Sequence, residues 1–178
     1  MARATNLNGL LQPISDCYIR VGRDVIVMKV LPSINDSHGA TFNSENGIGR
    51  SLPTKTFVNG GDRSIGWDIT FVSEGDAQLR QNLSYYRLLM SCTYPVDTGG
   101  NVPFLPPKIL KIKCGSLLAD EELCVILENI SVSWPTDGAW SDIQYGYIPY
   151  KFNCQLTFKV VYNSADLPGQ QRILTLGR

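Results

Sequence analysis

The side chains able to carry chemistry are few and poorly grouped. His38 is the only histidine, and it stands in a stretch of Ser, Asn and Gly. A Ser-His-Asp relay or a multi-histidine metal site has little to draw on, so His38 reads as a solvated loop residue. Asp62, Asp68 and Glu74 lie close along the chain. Paired carboxylates divide acid and base roles only when their environments differ; Asp62 falls in a turn and Asp68 on the polar side of a strand, which points to a solvated face. Asn46-Gly47-Ile48-Gly49-Arg50 contains Gly-x-Gly but opens no helix and follows no parallel strand, so it is not a dinucleotide fingerprint. Cys17, Cys92, Cys114, Cys124 and Cys154 are odd in number, scattered, and set in apolar patterns. Reduced core thiols are expected rather than a disulfide or metal framework. No catalytic residue, metal ligand or cofactor site is expected, and the chain does not read as an enzyme.

The elements that would position such residues are organised around Tyr150–Tyr162, YKFNCQLTFKVVY. Tyr150, Phe152, Cys154, Leu156, Phe158, Val160 and Tyr162 alternate with residues that are polar except for Val161. A period of two means an extended strand with one buried and one wet face. At ~3.3 Å per residue it spans ~40 Å. The expectation is that such a strand needs long partners on both edges, or a neighbouring subunit that extends the sheet.

The rest of the chain punctuates itself. Residues 1–16 form an N-terminal arm, with Pro13 disfavouring a regular element. Cys17–Val30 reads as two extended segments broken at Gly22-Arg23-Asp24, the second (Val25–Met28) apolar enough to be covered on both faces. Residues 33–53, rich in Ser, Asn and Gly, read as one long loop. Lys55–Val72 reads as a hairpin turning at Asn59-Gly60-Gly61-Asp62, with Ile65, Trp67, Ile69 and Phe71 on its buried side. Leu79, Leu83, Tyr86 and Met90 form a helical stripe, so one helix is expected over about 76–92, capped by Ser73 or Asp76 and ended by Thr93-Tyr94-Pro95. Val96–Pro107 is a Gly/Pro linker. Strands follow at Lys108–Lys113, Leu123–Leu127 and Ile130–Trp134, with a bulge at Glu128-Asn129 where the apolar parity flips. Trp134–Gly138 turns into an aromatic loop carrying Trp140, Tyr145 and Tyr147. These aromatics suit stacking on a sugar or base, or packing at a sheet edge or subunit contact. Residues 164–178 form a C-terminal tail.

The 178 residues suit a single domain, and 43% hydrophobic with 18% charged residues is ordinary globular composition. Sixteen basic and sixteen acidic residues cancel, which argues against nucleic-acid binding by bulk charge. No apolar run suits a bilayer span, and the first residues lack the apolar core of a secretory signal. A reducing cytoplasm is the expected site of synthesis.

Two segments carry a resemblance. PPKILKIKCGSLL (106–118) followed by LCVILENISVSWPTDGAWSDIQYGYIPYKFNCQLTFKVVY (123–162) resembles the tail-tube-fold proteins of contractile phage tails, and is most similar to their baseplate tube-initiator and tube-cap members. The shared pattern is Pro-Pro before a strand ending near Gly, then an ISVSW-like strand, an Asp-Gly turn and a long alternating strand. Upstream, RSIGWDITFVSEG (63–75), a helix and Thr93-Tyr94-Pro95 resemble the family's first sheet and helix. The likeness covers about 50–163, and the chain is shorter than members that add further domains. It implies a mainly β fold, a tail-tube-like barrel or sandwich over 17–163 with one packed helix and long hairpins. It also implies a hexameric ring at the junction of baseplate hub and tail tube, lining a channel through which DNA passes unread and nucleating the tube. Partners would be its own copies, adjacent tube and hub or spike proteins, and a tape-measure protein; the place is the virion tail, after synthesis in the host bacterium. Tyr150, Phe152, Trp134, Trp140, Tyr145, Tyr147 and Trp67 are the expected subunit-interface residues. The alternatives are a tube or connector ring of a related injection system, and a carbohydrate-binding β-sandwich using the aromatic loop.

Overall fold

The computed structural model describes residue 14 and residues 16–45, 52–95, 106–118, 122–141 and 146–161. The arm before Ile14, the tail 164–178 and most of the 96–107 linker lie outside these residues. The chain is mainly β with a single described helix, in a sandwich-like arrangement.

A two-residue turn, Gly22-Arg23, joins β1 (Cys17–Val21) to β2 (Asp24–Val27) with Val21 opposite Asp24. Gly22 sits at φ +63°, a backbone region that costs glycine nothing and a β-carbon much more. Then come β3 (Ser33–Ser37), β4 (Ala40–Glu45), β5 (Thr54–Gly60), β6 (Ser64–Val72), α1 (Asp76–Ser91), β7 (Leu110–Cys114), β8 (Leu123–Ser133), β9 (Trp140–Ser141), β10 (Ile148–Pro149) and β11 (Lys151–Val160). Seven strands form one antiparallel sheet in the order β2-β1-β7-β8-β11-β6-β3.

The alternation read from the sequence sets its inner face. Ile65, Trp67, Ile69 and Phe71 on β6 and Phe152, Cys154, Leu156 and Phe158 on β11 are all buried. Phe71 stacks on its cross-strand partner Phe152 at 5.0 Å, and Trp67 meets Phe158 edge-on at 5.9 Å. They join Ile19, Ile26, Ile112 and Val125 in one core, so the sheet wraps its apolar face inward. Helix α1 adds Leu79, Leu83 and Leu89. Neither Ser73 nor Asp76 caps it: the N-cap is Gly75, without a side-chain cap bond. Ser73 instead accepts from Asn82 Nδ2 at 2.8 Å, tying the second turn back to the end of β6.

Two expectations hold in detail. The helix occupies the stripe read at 76–92. The parity flip at Glu128 is a bulge: Thr157 faces Asn129 while Phe158 faces Leu127, leaving Glu128 as the extra residue.

Others are corrected. β11 needs no neighbouring subunit, because β6 flanks it from Lys151 to Lys159 and β8 from Asn153 to Val160. Both edges are occupied within one protomer. Residues 33–53 are not one loop, since β3 and β4 lie there. The hairpin read over Lys55–Val72 does not form either: β5 pairs with β4, and β6 pairs with β3 and β11. β2 is an outer strand with Val25 exposed, not a strand covered on both sides.

Candidate assembly surface

Strands β3 and β4 run out along one arm and β5 and β6 return along the other, so 33–45 and 54–72 form a single long ribbon. Its inner half belongs to the main sheet. Its outer half, β4 with β5, is a separate two-stranded sheet, and every residue in it is exposed. The junction is built on two glycines. Gly61 N–H donates to the Gly39 carbonyl at 2.7 Å, and a β-carbon on Gly61 would lie 3.0 Å from that oxygen. Three residues on one arm (61–63) face two on the other (38–39), and Val58 is skipped again between Thr41 and Phe42. Extra residues on one strand increase twist and bend the ribbon.

Arg63 fixes the base of this projection. Its Nε donates to both oxygens of Asp36 at 2.9 and 3.1 Å, and its Nη2 donates to the Leu118 carbonyl at 3.2 Å. A fork matched to a carboxylate holds orientation as well as charge. On the ribbon itself, Phe42 and Phe57 meet edge-to-face at 5.7 Å. They remain 52% and 59% exposed, and Val58 51%. Sequence reasoning missed all three. For Phe57 and Val58 the signal was the β-branched and aromatic content of Thr54–Val58, read as half of a different hairpin; Phe42 lay in the stretch read as a loop.

The opposite end carries the aromatic residues singled out in the sequence. Trp134 lies against Tyr86 of α1 and Phe152, with ring centroids 5.8 and 4.9 Å away. Trp140 pairs with Pro149 in the short β9–β10 hairpin. Tyr150 O–H donates to Asp76 Oδ1 at 2.7 Å, and Ser141 Oγ donates to the same oxygen at 3.3 Å. Asp76 thus ties the aromatic hairpin to the first turn of α1. Tyr147 is 79% exposed with a positive φ of 52°. Tyr145 lies outside the described residues. Phe152 and Trp67 are corrected: both are fully buried in the protomer's own core, so neither can touch a neighbour. The Trp67 indole N–H finds no acceptor among the described residues.

Cys17 and Cys154 are not poised as nucleophiles. Cys17 and Cys114 face each other across β1 and β7 with sulfurs 3.3 Å apart, and burial first, then the Cys114 contact, pushes the Cys17 thiol far up. Burial alone pushes Cys154 up to about 12. Reactive cysteines show the opposite shift. On the outer surface, Tyr18 O–H donates to Glu122 at 2.8 Å, with Arg20 and Lys111 paired to the same carboxylate. The Tyr18 bond is the main reason Glu122 is held below its usual range. Among the described residues no group of three or more His, Cys, Asp or Glu could hold a metal ion, and no helix is long and apolar enough to cross a membrane.

Comparison with known proteins returns no matching family model and no matching curated protein.

Proposed function

We propose that this chain is a structural, ring-forming protein with the tail-tube fold, set as a hexamer at the junction of baseplate hub and tail tube in a contractile phage tail. There it lines the DNA channel and nucleates the tube. The observation that carries the assembly is the β4–β5 ribbon. A two-stranded ribbon is marginal by itself, and this one buries none of its residues in the protomer while presenting Phe42, Phe57 and Val58. Ribbons from adjacent copies, laid edge to edge around an axis, would extend this sheet, which has only two strands among the described residues, and cover the apolar side chains. The place in a phage tail rests on the sequence resemblance. A further support is the outward face of β6 and β11. Lys151 and Lys159 stand there with Asp68 among Gly66, Thr70, Asn153, Gln155 and Thr157, and Lys159 is paired with Glu128, so the face carries little net charge with which to grip phosphate.

The test is the particle itself. Purified full chain examined by mass photometry and negative-stain microscopy is expected to give hollow sixfold rings that seed tube subunits. Monomer alone at assembly-like concentrations, with no such ring in tail preparations, would overturn the reading. Exposed Tyr147 beside the Trp140 hairpin favours a second reading, a carbohydrate-binding sandwich. In that case Trp140→Ala abolishes sugar binding and leaves the oligomeric state alone; a glycan array without hits removes it.

A further inference from the structure

Cys17 opens β1, Cys114 closes β7, and the two stand opposite each other in the sheet. The Cys17 N–H donates to the Ile14 carbonyl and the Cys17 carbonyl accepts from the Met28 N–H, so both backbone groups turn away from β7. The bond to the β7 side belongs to the neighbouring pair, in which the Gly115 N–H donates to the Asp16 carbonyl at 2.7 Å. Cys17 and Cys114 are therefore a non-hydrogen-bonded pair, the kind in which α-carbons approach to ~4.5 Å and side chains lie closest. That separation falls within the ~4.4–6.8 Å that a disulfide spans. Both side chains turn to the buried face, with sulfurs 3.3 Å apart. A bonded pair needs ~2.05 Å, a closure of ~1.3 Å that lies within reach of small side-chain rotations.

We propose that Cys17 and Cys114 form a reversible cross-strand disulfide, stapling β1 to β7, when the folded chain meets hydrogen peroxide. One thiol gives up its proton and attacks a peroxide oxygen. The O–O bond breaks, that sulfur becomes a sulfenic acid, and the other oxygen leaves as water with the released proton. The facing thiol then loses its proton and attacks the sulfenic sulfur; the S–O bond breaks, the S–S bond forms and a second water leaves. Two thiols and one peroxide thus give one disulfide and two waters, with two electrons passed from sulfur to oxygen. Burial slows the first step while the sheet is closed. Position permits it, because both cysteines lie at strand ends, where local opening costs least. Cys124 is the less buried thiol, but it stands on the face of β8 opposite buried Val125 and so points away from the pair. The bond would act where the sheet has least to hold it. The β1–β2 hairpin joins the other strands through β7, over the short register Cys17–Cys114 to Arg20–Lys111. Joining positions 97 apart also closes a long loop in the unfolded chain, where a crosslink removes most entropy.

Peroxide treatment of the full chain, reduced beforehand, then quenched with catalase and alkylated in urea, tests this independently of ring formation. Peptide mapping without reductant is expected to show Cys17 joined to Cys114, with Cys92 and Cys154 still open to alkylation. The urea midpoint should rise by ~1 M and fall back with dithiothreitol, a reversal that methionine oxidation would not show. In Cys17→Ala, or in Cys114→Ala should the first variant not fold, peroxide should leave the midpoint without that rise. Links to other cysteines, or sulfinic acid at Cys17 or Cys114 in place of a link, overturn the proposal. So do thiols at both positions that survive peroxide able to oxidise the unfolded chain, and a Cys17–Cys114 bond that leaves the midpoint unchanged or lower.

Discussion

Replacing Phe42 and Phe57 together by serine separates folding from assembly. Both rings stand outside the core, at 52% and 59% exposed. In the free protomer their loss removes one edge-to-face pair, worth ~0.5–1.5 kcal/mol and confined to the ribbon. In an assembled ring the uncovered half of each side chain, ~100 Å² of a ~200 Å² aromatic, would leave water. At ~25 cal/mol per Å² that is ~2.5 kcal/mol per ring and ~5 kcal/mol per subunit. With 1.4 kcal/mol per decade, the association constant should fall by ~3–4 decades per contact. Urea unfolding of the monomer, read beside light scattering over a concentration series, makes both measurements on one preparation. The expected result is a near-wild-type unfolding midpoint with assembly lost. A double variant that assembles at wild-type concentrations refutes the assignment of the ribbon, and one that loses stability like a core truncation refutes its description as a projection.

Other outcomes follow from the same geometry. Leu156→Ala should cost ~2–5 kcal/mol in urea unfolding, because Leu156 is 1% exposed at the centre of β11; a loss under ~1 kcal/mol would mean this core relaxes around the cavity. Cys154 is raised from its usual 9.0 to about 12 in the folded chain, so its stabilising effect is complete below pH 9 and lost as pH climbs towards 12. The stability gap between wild type and Cys154→Ala should therefore shift against the wild type by up to ~1.4 kcal/mol per pH unit above 9, and a gap that is flat from pH 8 to 11 contradicts the burial of the thiol. Removing the carboxylate in Glu122→Ala should bring the Tyr18 hydroxyl down towards its ordinary value, since the Glu122 bond is the main cause of its rise; an NMR titration of Tyr18 reads the direction. Gly61→Ala forces a β-carbon against the Gly39 carbonyl, and faster amide exchange in 40–45 and 54–60, with unchanged exchange in β11, is the expected signature.

Periodicity revealed faces and concealed edges. The even positions of β11 and the odd positions of β6 were legible because burial on one side writes a period of two into the residues. Nothing in that pattern says what lies beside a strand, so the length of β11 suggested an outside partner although β6 and β8 flank it. Strands β3 and β4 hid for a related reason. Nearly all of their residues are exposed, so they display no hydrophobic alternation, and their Ser, Asn and Gly content resembled a loop. Asn59-Gly60-Gly61-Asp62 looked like a hairpin turn because glycine marks any tight backbone approach. Here Gly61 serves the crossing with Gly39 halfway along a longer hairpin. Among the interface candidates, composition could not separate Trp67 and Phe152, which fill the core, from Trp140 and Tyr147, which reach water.

The ribbon leaves β6 at Ser64, whereas the Tyr147 hairpin sits beyond Val72, where the Ser73 amide bonds the Tyr150 carbonyl. Nine residues of strand, ~30 Å, lie between. Each molecule is therefore an arrow with unlike tip and tail. Copies arranged about one axis all point the same way, so the two rims of such a ring would differ and a stack of rings would grow with direction. A gold label on a cysteine introduced at Thr56 would decorate one rim, and one introduced at Tyr147 the other.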